Sequence, residues 1–113
     1  MAAGKKHGVD PRLLVAIAGQ ESDFGNICYR PKNAWGWGGK TFKSWKEGIN
    51  EVARGLGAYY IQKDLTNVDS IGRKYCPIGA SNDPTGLNKN WPSGVKRFLK
   101  QQGGNPANVR YKA

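Results

Sequence analysis

The sequence predicts a small, mainly α-helical domain, and three observations lead there. Apolar residues recur at one-face helical spacing in four separate stretches. Two of those stretches open on N-terminal capping signals, Asp10-Pro11 and Ser44-Trp45-Lys46-Glu47. The length, 113 residues, suits one domain over 1–113, and neither a repeat nor a linker divides it.

The elements follow in chain order. Lys5-Lys6-His7 reads as the end of an earlier, truncated helix, and the abrupt start predicts a domain excised from a longer chain. Asp10 then caps free N–H groups and Pro11 suits the first helical position, where its missing N–H costs nothing. Leu13, Leu14, Ile17 and Ala18 share a face, and Gly25 suits a left-handed stop, so a helix is expected over about 11–24.

Residues 26–43 read as irregular. Glycines alternate with Trp35 and Trp37, which predicts a loop or short hairpin displaying large rings, with Lys40-Thr41-Phe42-Lys43 as its return strand. Behind the capping box, Trp45, Ile49, Val52, Leu56, Tyr59 and Tyr60 step at helical spacing and predict a long amphipathic helix, about 45–63. Val68, Ile71 and Tyr75 predict a shorter one, about 68–75. Residues 76–90 carry turn chemistry. Trp91, Val95, Phe98 and Leu99 predict a last helix, about 91–102, ended by Gly103-Gly104, with a loose polar tail over 104–113.

Composition narrows the function classes. Hydrophobic residues are 38% and aromatics 11%, enough for a modest core. The longest apolar run, Leu13 to Ala18, falls far short of the ~18 residues of a membrane span. Eighteen Lys and Arg against eight Asp and Glu give a net charge of +10, which attracts polyanions: nucleic acid, anionic lipid or an anionic bacterial wall. The basic residues are spread along the chain without one groove-sized stripe or a helix-turn-helix pattern, which argues against a specific nucleic-acid module. One histidine, His7, and two cysteines without CxxC spacing build no metal site, and no cofactor is expected. Cys28 and Cys76 form either one disulfide or two buried thiols.

Glu21 is the residue that carries chemistry. It lies four residues after Ile17 and eight after Leu13, so it continues the apolar stripe of its helix. A desolvated carboxyl titrates above the usual glutamate value and retains the proton a general acid must deliver. The alternative is a carboxylate beyond the buried stripe that caps or salt-bridges. Asp23 points away from Glu21 on a helix, Glu47 reads as a cap, and Glu51 and Asp64 as solvated positions. Asp83, in a turn, is the best remaining second acid, though a turn residue by type. Trp35 and Trp37 are the preferred platform for a sugar ring, with a place in the core as the alternative for each, while Trp45, Tyr59 and Trp91 sit at inward helical positions.

The segment from Gly8 to Gly25, with Glu21-Ser22 near its end, resembles the catalytic helix of the lysozyme-like superfamily, in particular soluble lytic transglycosylases and bacterial wall glucosaminidases. Asn33-Ala34-Trp35-Gly36-Trp37-Gly38 is similar to the glucosaminidase loop Asn-x-Phe-Gly-Ile-Lys. Tyr75, then Trp91 and Val95, are similar to that group's ending, so the resemblance covers about 8–99. It implies a lysozyme-like fold with a loop or hairpin flanking a cleft, and Glu21 as catalytic acid. It also implies Tyr75 as a hydrogen-bond donor beside the scissile bond, and Asn33, Trp35 and Trp37 on the substrate. The implied partner is peptidoglycan glycan, together with anionic wall polymers. A monomer outside the cell, at the wall or on a phage particle, is the expected setting. The transglycosylase segments Gly-Leu-Met-Gln and Tyr-Asn-x-Gly are absent, which leaves glucosaminidase, muramidase and transglycosylase all open. A non-enzymatic basic module binding wall glycan or nucleic acid is the competing class.

Overall fold

Helices form where the capping signals stand. The computed structural model describes residues 2–28, 30–77 and 87–112. Among them are five α-helices: α1 (Ala2–Lys6), α2 (Pro11–Ser22), α3 (Trp45–Tyr59), α4 (Val68–Tyr75) and α5 (Trp91–Gln101). Asp10 accepts from the Arg12 N–H at the start of α2, and Ser44 from the Glu47 N–H at the start of α3. Glu47 reaches back past the cap residue and accepts from the Lys43 N–H at 2.7 Å. Asn67 caps α4 in the same way through the Ser70 N–H.

The core is organised around α2. Leu13, Leu14, Ala16, Ile17, Ala18 and Gly19 are all buried, so this helix is covered on nearly every side. Helix α5 packs along it, α4 packs on α5, and α1 touches both α2 and α3. Val95 and Leu99 of α5, Val52 and Leu56 of α3 and Ile71 of α4 are fully buried, each contributing about 1.5–3 kcal/mol through lost water contact.

Several boundaries differ from the sequence expectation. Helix α2 stops at Ser22, and the left-handed cap is Asp23 (φ 51°), followed by Phe24 (φ 58°) and then Gly25. Ser22 causes the early stop, because its hydroxyl accepts from the Gly25 N–H and folds the chain back. The left-handed Phe24 costs about 1–2 kcal/mol, partly offset by its edge-on contact with Phe98 at 4.9 Å. The stretch 45–63 is two pieces, α3 and a 3-10 turn at Ile61–Lys63, broken at Tyr60. Residues 40–43 form no strand. The β-pairing among the described residues is a single antiparallel bridge between Val9 and Arg110.

Two further corrections concern side chains and the tail. Trp45 and Tyr59 face solvent, at 45% and 50% exposure, rather than the core. The inward face of α3 is built from small residues, Gly48, Ala53, Gly55 and Gly57, around Val52 and Leu56, and rings from elsewhere fill it. The C-terminal tail is fastened down. Val109 is fully buried, its carbonyl accepts from the Asp10 N–H at 2.8 Å, and the Pro106 carbonyl accepts from the Val68 N–H at 2.9 Å. Both donors stand at helix starts, where backbone N–H groups lack intrahelical partners, so the tail completes α2 and α4.

Candidate active site

The loop after α2 is held by two buried polar side chains. The Ser22 hydroxyl lies 2.7 Å from the Ala34 carbonyl and ties the loop to the end of the helix. Asn33 is buried and spends its amide on the loop itself. Its Nδ2 donates to the carbonyls of Trp37 and Lys40, and its Oδ1 accepts from the N–H groups of Trp35 and Trp37. Asn33 therefore organises the loop and has no atom left over for a substrate, contrary to the expectation.

The two tryptophans separate. Trp35 is 4% exposed, its Nε1–H donates to the Leu14 carbonyl at 3.0 Å, and its ring fills the space over Gly48. It is a core residue and no sugar platform. Trp37 is half-buried and packs against α3, where a Cβ on Gly55 would fall 2.1 Å from its Cζ2. Only glycine at 55 leaves room for that ring.

Glu21 stands in the last turn of α2 with an open face to solvent, so it is not enclosed in the core as its place in the stripe predicts. Its carboxyl end is nonetheless walled. Oε1 accepts from the Trp91 Nε1–H at 2.9 Å. Oε2 faces Gly36, where a Cβ would lie only 2.8 Å away and where φ is +61°, a conformation that glycine adopts without strain. Burial by these walls raises the titration of Glu21 above the ordinary glutamate value, and the Trp91 hydrogen bond lowers it without cancelling that effect. No neighbouring charge takes part.

Beside the carboxyl runs a groove of about 330 Å³ lined by Gly36, Trp37, Gly38, Tyr59, Tyr60, Lys74 and Tyr75. Its aromatic rings touch: Tyr75 stacks on Trp91 at 5.2 Å, and Trp37 lies 5.9 Å from Tyr75 and 6.4 Å from Tyr60. The Tyr75 hydroxyl donates to the Trp35 carbonyl, so its proton points into the protein rather than toward the groove. Burial pushes its phenol well above the usual range, and the negative charge of Glu21 adds to that. Tyr75 thus remains neutral at any working pH. An aromatic groove beside one carboxyl whose titration is raised can hold the apolar face of a sugar ring and exchange a proton with an oxygen attached to it.

The other acids are engaged elsewhere or distant in role. Asp10 and Glu47 cap helices, Glu51 pairs with Arg54, Asp64 with Arg110 and Asp69 with Lys96. Asp23 forms the exposed cap of α2, and Asp83 lies outside the described residues. Cys28 and Cys76 are half-buried and carry no disulfide in this structure. No group of His, Cys, Asp and Glu among the described residues could hold a metal ion. None of the described helices is long and apolar enough to cross a membrane.

Sequence reasoning missed Trp91 as the partner of Glu21, because helical spacing marks it only as inward. A signal existed: a buried indole N–H needs an acceptor, and few acceptors lie near a core helix. Gly55 and Lys74 had no local signature. No protein-family model matches the chain, and no curated protein matches it.

Proposed function

We propose that this chain is a lysozyme-like domain that cleaves the glycan strands of peptidoglycan, with Glu21 as its general acid. The observation that carries the reading is the Glu21 carboxyl itself: its titration is raised by burial, Trp91 holds it, and an aromatic groove opens beside it. In its acid form Glu21 gives a proton to the bridging oxygen, and the bond to the anomeric carbon breaks as positive charge develops there. The carboxylate left behind then takes a proton from the hydroxyl that attacks that carbon, which restores the acid.

That attacking hydroxyl is either water or the 6-hydroxyl of the same muramyl sugar, which closes an anhydro ring. A two-carboxylate hydrolase needs a second acid roughly 5–9.5 Å from the first. Among the described residues no other carboxylate contributes to the titration of Glu21. Asp83, the second-acid candidate, lies outside the described residues, and the reaction products separate the two routes. The charge of +10 suits a wall rich in anionic polymers, and the reading sets the protein outside the cell, at the wall or on a phage particle.

The test is Glu21→Gln, which retains size but cannot deliver the proton. Wall lysis falls by about 10²–10⁴ with the melting temperature unchanged. Mass spectrometry of the wild-type products then reads the bond: an anhydro-muramyl end for the single-acid route, a reducing end for hydrolysis. Wall lysis by Glu21→Gln at the wild-type rate refutes the assignment.

A further inference from the structure

Lys74 is the one charged side chain among the residues that line the aromatic groove. It stands in the last turn of α4, next to Tyr75. Its ammonium lies 4.5 Å from the centre of the Tyr60 ring and 6.0 Å from that of Tyr59, and it donates to the Tyr59 carbonyl at the end of α3. That carbonyl is among those a helix end leaves without an intrahelical partner, so the bond anchors the lysine over the groove. An ammonium has three donors, and one is used here.

The neighbouring cations are differently placed. Arg54, 5.9 Å from the centre of the Tyr59 ring, is paired with Glu51, and Lys40 approaches the same carboxylate. Lys74 has no carboxylate within ion-pair distance among the described residues. The groove therefore offers an aromatic floor for a ring and, at its edge, a positive charge that no carboxylate among the described residues neutralises.

We propose that Lys74 makes this groove selective for a sugar that bears a carboxylate, the ring lying on Trp37 and the acid meeting the ammonium. The inference rests on the reading of Glu21 and its groove as a glycan-cleaving site. There the acidic sugar is the muramyl unit with its lactyl carboxylate free, rather than bound as an amide to a peptide. A neutral N-acetylglucosamine ring fits the floor but leaves the ammonium to water.

The experiment is calorimetric binding in the Glu21→Gln protein, so that no bond is cut during the titration. Three probes are compared: chitotetraose, a wall tetrasaccharide with free lactyl carboxylates, and that tetrasaccharide with its carboxylates converted to methylamides. The acidic probe binds about three- to fivefold more tightly than its methylamide, the range of one exposed ion pair, and the gap closes at high salt. Lys74→Met abolishes that gap, whereas Lys74→Arg restores it. A lysine serving only to cap α3 would alter melting without altering the ratio.

Equal binding of acidic and amidated probes, or a ratio that survives Lys74→Met, overturns the proposal while the reading of Glu21 stands. Failure of all three probes to bind overturns both. Discrimination by Lys74 in a protein whose wild type cuts none of the probes and no wall supports the carboxylate site and removes the catalytic reading alone.

Discussion

Trp35 and Trp37 sit two residues apart in one glycine-rich loop, and alanine at each should have opposite consequences. Trp35 is 4% exposed, fills the space over Gly48 and donates to the Leu14 carbonyl. Removing a buried ring of that size costs about 3–5 kcal/mol through lost burial and the cavity left behind. In a domain of this length that lowers the melting temperature by roughly 10–20 °C. Trp37 is half-buried on Gly55, with one side toward the groove. Trp37→Ala gives up its contacts to Tyr60 and Tyr75, at about 1–2 kcal/mol of stability. Its larger effect falls on glycan binding, weakened by roughly 1–3 kcal/mol if ring stacking there matches stacking elsewhere. Circular dichroism melts and calorimetry with chitotetraose on both variants separate the two roles. A Trp35→Ala protein that melts within a few degrees of wild type refutes the core assignment. A Trp37→Ala protein that melts as low as Trp35→Ala and binds sugar normally refutes the floor.

The remaining predictions concern the acid, the seat of Trp37 and a cap. Trp91→Phe retains a ring on Tyr75 but removes the N–H that stabilises the Glu21 carboxylate, so Glu21 ionises at higher pH and the alkaline limb of wall lysis moves up. Carboxyl-carbon NMR titration reads the same shift without activity, and a downward move contradicts the geometry. Gly55→Ala puts a methyl group 2.1 Å from Trp37 Cζ2 and drives the ring from its seat. Overpacking costs about 1–3 kcal/mol, and tryptophan emission shifts to the red together with a loss of sugar binding. Asp10 is a buried cap: burial raises its titration, but hydrogen bonds and charge from Arg12 outweigh that and hold it below the ordinary aspartate value. Its stabilising effect is therefore complete above the unfolded value of about 4 and is lost as pH falls through the lower native one. Asp10→Ala costs about 1–2 kcal/mol at neutral pH, and denaturant melts show the gap to wild type narrowing in acid.

Helix positions were legible because their causes are local. Asp10-Pro11 and Ser44 with Glu47 satisfy N–H groups two to four residues away, and apolar spacing of three and four marks a face without reference to the rest of the chain. The helix over 68–75 appears with those limits, and Glu21 stands out because a carboxylate in an apolar stripe is a local anomaly. Only the tertiary structure decided which rings face inward. Trp45 shares the spacing of Val52 and Leu56 yet points outward, because glycines on α3 leave recesses that Trp35 and Trp37 fill from the loop preceding the helix. The same holds for the tail, whose polar composition suggested disorder. Its backbone carbonyls meet the unpaired N–H groups of two helix starts, and Val109 closes the core beside them. Trp91 meets Glu21 across 70 residues of chain for a similar reason. A buried donor must find an acceptor, and where that acceptor lies depends on how α2 and α5 pack rather than on either segment alone.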